Sequence, residues 1–298
     1  MARVTTTNRR DALRAGAGLV AGGALAAGCG TGPTTAAARS AAPRTTPGSA
    51  APRTTPGSAA PRTTPGSAAP RTTPGSAVRP SGKASPTTRP APAPRAYPGQ
   101  PAQITHGPRT HPRVALTFHG QGDPALAHTL LTTAERHGAH LTVLAVGTWL
   151  DEHPDIARRI LDGGHDLGNH TQRHISVNDL PEADARKEIT DCADRLNRLT
   201  GSIGTWFRPS RAATASALVA ALARRAGYPH VLSYDVDSLD YTRPGAAAVT
   251  RKVLSEVREG SVVSLHFGYE DTVAALPDVL TELGRRKLRA VTTTELLS

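Results

Sequence analysis

Between residues 114 and 291, short apolar runs bounded by turn residues alternate with longer stretches of helical periodicity, and this alternation restricts the chain to few architectures. The expected strands are 114–118, 141–146, 166–168, 204–207, 230–234, 261–266 and 288–291, and the expected helices are 124–137, 154–161, 181–199, 214–226, 246–259 and 272–285. Strand followed by helix, repeated about seven times, predicts an α/β fold with a parallel sheet, either a (β/α) barrel or an open doubly wound sheet. Polar residues gather where nearly every strand ends: His119, Asn169, Arg208, Asp235, Asp237 and His266. That placement favours the barrel, whose active sites are built on the C-terminal ends of its strands.

The first third of the chain has no such pattern and reads as two segments. Residues 1–29 place Arg9 and Arg10 ahead of an apolar, Gly/Ala-rich run, the layout of a twin-arginine export signal. The run is about 14 residues long, short of the roughly 20 that span a bilayer as a helix. It ends Leu25-Ala26-Ala27-Gly28-Cys29, similar to a bacterial lipobox with the leucine one position further from the cysteine than is usual. The expectation is a cell-membrane lipoprotein anchored through Cys29, or else a secreted protein, in either case in a bacterial cell envelope. Residues 30–111 form a Pro/Thr/Ser-rich linker in which Ala-Ala-Pro-Arg-Thr-Thr-Pro-Gly-Ser recurs at 41–49, 50–58, 59–67 and 68–76. Such repeats cannot bury an apolar face, so they predict an extended spacer that reaches on the order of 200 Å at about 3 Å per residue.

The formal net charge of +11 suggests a nucleic-acid partner until it is divided along the chain. The first 111 residues hold 14 Lys/Arg and one acid, whereas 112–298 hold 21 Lys/Arg and 23 acids. The folded part is therefore slightly acidic and no nucleic acid is expected. Its length suits one domain, 112–298, expected to be a monomer. Once Cys29 is lipidated, Cys192 has no thiol partner and reads as a small apolar residue on a helix.

The chemistry concentrates at His170-Thr171-Gln172-Arg173-His174, entered through Gly168 and Asn169. Two imidazoles four residues apart on a loop can converge on one metal ion if a third ligand arrives from elsewhere. Three further stretches join them: Phe207-Arg208-Pro209, Asp235-Val236-Asp237-Ser238-Leu239-Asp240-Tyr241 and Val263-Ser264-Leu265-His266. In this order and spacing they resemble the motifs of the polysaccharide deacetylase family, the NodB-homology domain of carbohydrate esterase family 4, over essentially all of 113–298. The resemblance implies a distorted (β/α) barrel and metal-dependent removal of N- or O-acetyl groups from a glycan.

The first motif departs from that family, whose members usually carry Thr-Phe-Asp-Asp-Gly, with the first Asp as general base and the second as metal ligand. Here the strand delivers Thr117-Phe118-His119-Gly120-Gln121-Gly122-Asp123. His119 stands at the base position, and Gly120 stands where the ligand carboxylate would be. One reading has Asp123 fold back to join His170 and His174 on the metal, with His119 as base. A second has His119, His170 and His174 on the metal with Asp123 as base, and a third has a dead site. Asp123-Pro124 ahead of a helical run is also a plain helix cap.

By resemblance, zinc is the expected metal, with cobalt, nickel and manganese compatible. A backbone N–H after Pro209 would hold the oxyanion, and His266, kept charged by an acid such as Asp237, would protonate the leaving amine. Arg208 would act through contact with the base. Arg211 stands where the family usually has an aromatic, and with 3% aromatic residues overall the groove is expected to offer few stacking platforms. Two functions of different class follow: a deacetylase of peptidoglycan or a chitin-like glycan, or an inactive relative that binds cell-wall glycan.

Overall fold

The computed structural model describes residues 91–298, so the export signal, Cys29 and the four repeats lie outside the described residues. Eight strands are present: β1 (Gln103–Ile104), β2 (Arg113–Gly120), β3 (Thr142–Ala145), β4 (Asp166–Asn169), β5 (Val231–Leu232), β6 (Val236–Asp237), β7 (Val262–His266) and β8 (Arg289–Ala290). The helices are α1 (Pro124–Arg136), α2 (Gly147–Glu152), α3 (Asp155–Asp162), α4 (Glu182–Thr200), α5 (Ala217–Arg225), α6 (Ala246–Glu256), α7 (Glu270–Arg285) and α8 (Thr293–Leu296).

β2 is the axis of the wall. Its residues from Val114 to Gly120 are all buried, as a parallel strand covered on both faces requires. Parallel neighbours run in the order β4-β3-β2-β7-β6, and β8 pairs with the first residues of β2. Beyond β4 the wall continues through Phe207, which bridges Asn169 on one side and Val231 of β5 on the other, and β5 pairs with β1. The strand expected at 204–207 is thus reduced to a single bridging residue, and the barrel is distorted there. Ile104, Ala115, Leu144, Trp206, Leu232 and Val262 form one buried cluster among these strands, while the larger cluster packs β2, β3 and β7 against α1, α3, α6 and α7.

Residues 91–111, expected as linker, belong to the folded unit instead. Tyr97 stacks on Trp206 with ring centroids 5.3 Å apart, its N–H donates to His230 Nε2 at 2.9 Å, and Ile104 is fully buried. Two apolar side chains in a Pro-rich segment were enough to draw it onto the core, a signal that bulk composition hides. α2 is an addition as well: Gly147 and Thr148 donate their N–H groups to the carbonyls of Thr171 and Gln172, so this short helix is tied to the histidine loop.

Candidate active site

The register of the sheet assembles the centre. His119, near the end of β2, lies opposite His266 of β7, and their rings stand 4.3 Å apart between centroids. His170 follows β4 directly, and its ring lies 4.4 Å from that of His119 and 5.0 Å from that of His174. The loop that presents this pair is over-determined. Asn169 is fully buried, accepts the Thr171 N–H through Oδ1, and donates through Nδ2 to the Ile189 carbonyl and the Tyr228 hydroxyl. Arg173 is held by the buried Glu188, which accepts from both its backbone and its guanidinium. These contacts keep Thr171 and His174 in left-handed backbone, φ 67° and 55°, a strain typical of functional loops.

One ring nitrogen each from His119, His170 and His174 lies within 4.8 Å of the others. His170 donates Nδ1–H to the Arg208 carbonyl at 3.0 Å, which leaves Nε2 as a lone-pair donor, and that buried atom has no partner. An orphaned imidazole nitrogen aimed among two others fits a divalent metal, and a peptide carbonyl behind the ring is the usual way of orienting such a ligand. Burial pushes His119 and His170 well below the ordinary histidine range, with the neighbouring imidazoles adding to the effect. Burial brings His174 down to about 4, helped by the charge of Arg211. All three are therefore neutral at pH 7, as metal ligands must be.

Across the cleft, His266 is held by Asp240 rather than by Asp237. Asp240 is fully buried and accepts from His266 Nδ1 at 2.7 Å, from its backbone N–H at 2.8 Å and from Thr272 Oγ1 at 2.6 Å. Asp237 accepts the Leu239 N–H at 3.1 Å and lines the cavity. Asp235 pairs with Arg109 at 2.6 Å and accepts from Ser261 and Val262, a structural role. The cavity measures about 450 Å³ and is lined by His119, His174, His266, Asp237, Ser264 and Arg211, with Tyr234, Tyr241 and Tyr269 on its walls. Three of the five tyrosines of the chain are thus collected here, so the groove holds more aromatic surface than overall composition suggested.

Comparison with known proteins decides what this constellation is. Residues 106–231 match the family model described as polysaccharide deacetylase. A peptidoglycan-N-acetylglucosamine deacetylase of Bacillus cereus is 30% identical over 194 residues, covering 64% of this chain and 90% of the relative. The chain belongs to the polysaccharide deacetylase family. Its fold agrees: a solved peptidoglycan N-acetylglucosamine deacetylase superposes with a TM-score of 0.62 at 26% identity, over 65% of this chain and 92% of the other. A carbohydrate esterase family 4 pseudoenzyme from Bacillus anthracis superposes with a TM-score of 0.63 at 23% identity, over 67% of this chain and 70% of the other. Other curated relatives, such as the Listeria monocytogenes peptidoglycan-N-acetylglucosamine deacetylase, are longer, and the chain spans 39% of that protein.

Within a family of metal-dependent hydrolases, three positions distinguish this member. Asp123 is not brought to the three histidines: its carboxylate caps α1, accepting the Ala125 N–H at 2.8 Å with Pro124 in the first turn, and it is exposed. In the loop ahead of it Gly122, at φ 96°, packs against the Gly268 backbone so closely that an added Cβ would lie 2.6 Å from Gly268 Cα. His119 instead places a ring nitrogen beside those of His170 and His174, the grouping of the second reading of the sequence. Gly120 is crowded: an added Cβ would sit 3.0 Å from Val143 Cγ1 and 3.1 Å from both Ala145 Cα and Trp149 Cζ3, so a side chain there needs these neighbours to give way.

Arg208 shows the other side of the same exchange. It is fully buried, takes part in no ion pair among the described residues, and donates to Thr117 Oγ1 at 2.9 Å and to the Leu232 and Ser233 carbonyls at 3.0 and 2.9 Å. Its Nη1 has no partner, and burial pulls it down to about 10. The acid that the family resemblance gives this arginine is His119 here, so the cation stands beside neutral imidazoles.

Proposed function

We propose that the chain removes acetyl groups from N-acetylated sugars of peptidoglycan or a chitin-like glycan of the cell envelope. The observation that carries this reading is the convergence of three neutral imidazoles and a buried Asp240–His266 pair on one tyrosine-walled cavity. His119, His170 and His174 would hold a divalent metal, zinc by preference for three imidazoles, with cobalt, nickel or manganese also accepted. When bound, the metal supplies polarisation of the acetyl carbonyl and a lowered pKa for water. Asp240 fixes the His266 proton on Nδ1 and leaves Nε2 free to serve the leaving amine. Asp237, the only carboxylate among the described residues that line the cavity, is the proton acceptor for the attacking water. The chain acts as a monomer, exported by a twin-arginine-type route and tethered through Cys29 or released.

Acetate release from N-acetylglucosamine oligomers and from peptidoglycan tests this reading, using the full chain after chelation and after adding back zinc or cobalt, beside His170→Ala. Metal-dependent release that His170→Ala loses supports it. The replacement of the family's base by His119 favours a second reading, an inactive glycan-binding relative. Bound metal and bound glycan with no acetate from any substrate would establish that one.

A further inference from the structure

The rim of the cavity carries a cation that the reaction does not use. Arg211 follows Pro209 and Ser210 on the loop after Phe207, lines the cavity, and takes a left-handed backbone conformation, φ 54°. The turn is pinned from below, because the buried Ser210 hydroxyl meets the Thr171 hydroxyl at 2.9 Å and donates to the Ile175 carbonyl. Position 211 is thereby fixed relative to the histidine loop, close enough to His174 for its charge to oppose protonation of that ring. No ion pair or side-chain hydrogen bond among the described residues includes the Arg211 guanidinium. The one acid among the described residues of the cavity wall, Asp237, bonds instead to its own loop at the Leu239 N–H.

A guanidinium held at the mouth of a neutral imidazole cluster, without an acid of its own, is a receptor for a carboxylate brought by the ligand. Placing it on a strained turn orders the backbone beneath it in advance, so fewer degrees of freedom are lost on binding. Resting on the function proposed above, we infer that the site takes acetylated sugars that also carry a carboxylate, of the muramic acid kind, and that Arg211 selects them over neutral N-acetylglucosamine units. Arg211 is a specificity-determining residue and lies outside the proton transfers, so its loss changes which glycan is bound while acetate release from neutral oligomers continues.

The test compares one alternating N-acetylglucosamine–N-acetylmuramic acid tetrasaccharide with the same molecule after reduction of its carboxyl groups to alcohols, which removes charge and little else. Binding and acetate release are both measured for the zinc-loaded full chain, for Arg211→Gln and for Arg211→Lys. The wild type is expected to favour the carboxylated form about fivefold or more, the scale of an exposed or half-exposed ion pair. Arg211→Gln is expected to bind the two forms equally, Arg211→Lys to keep part of the preference, and added salt to weaken it in the wild type. Equal binding by the wild type, or a preference that survives Arg211→Gln, overturns the inference. Absence of acetate release from every oligomer would count against the deacetylase reading, and the binding comparison would still decide the role of Arg211.

Discussion

Asp240 receives both the backbone N–H and the ring Nδ1–H of His266, so one buried carboxylate sets the position, the orientation and the tautomer of that ring. Replacing Asp240 with Asn keeps the volume and offers either an amide N–H or a single carbonyl to a ring that needs an acceptor. The expected result is a fall in kcat of about a hundredfold or more, the usual worth of a general acid, with metal content unchanged. Acetate release paired with metal stoichiometry measures this, and undiminished kcat would remove His266 from the reaction.

His119 and Asp237 are separated by a pair of variants. His119→Ala takes away one of three ligands, and metal affinity in a chelator competition should fall by about a hundredfold or more. Asp237→Asn should leave metal binding intact and lower kcat by about 10²–10⁴-fold. Retention of metal by His119→Ala would return His119 to the role of base.

Acid should destabilise the protein over a defined window. His165 is buried beneath Glu135 and Arg159, and burial pushes it down to about 4 against the pull of Glu135. The folded state therefore holds it neutral while the unfolded chain takes up a proton at about 6.5. Its contribution is fully present above about pH 6.5, falls as pH drops toward 4, and changes no further below, on the order of 3 kcal/mol in all. The site histidines act in the same direction in metal-free protein. Denaturant midpoints at pH 7 and pH 4.5 should converge in His165→Asn, whose amide oxygen can still accept the Leu141 N–H that Nδ1 accepts at 2.9 Å. An unaltered pH slope in that variant would assign the effect elsewhere.

Arg208→Lys should be poorly tolerated although it conserves charge. An ammonium group cannot serve Thr117, Leu232 and Ser233 together, and each buried acceptor left unpaired costs about 1–3 kcal/mol. A loss of about 2–4 kcal/mol in denaturant unfolding is expected, with metal affinity reduced as well, since the Arg208 carbonyl orients His170.

Most of the architecture was legible because its signals are local. Strands at Val114, Leu141 and Val262 are apolar runs, and α4 stops where Gly201 supplies the left-handed cap. Residues 91–111 were not, since Tyr97 and Ile104 matter only through partners more than a hundred positions away. At the site, motif and spacing pointed to the histidine pair, Arg208 and His266, and the fold brings these residues around one centre. Of the roles that spacing left open for Asp123, the structure shows the helix cap, because the direction of its side chain depends on local packing that spacing does not encode. Asp240 was overlooked in favour of Asp237, three residues earlier. A turn through the left-handed Leu239 decides which carboxylate goes inward, and a leucine gives no warning of positive φ.

The crowding at Gly120 bears on how such a centre can change over generations. A carboxylate there would press on the indole of Trp149, whose Nε1 is tied to the Gly122 carbonyl at 2.8 Å. An acidic side chain at position 120 therefore asks the Trp149 ring, and with it the start of α2, to shift along with the new carboxylate.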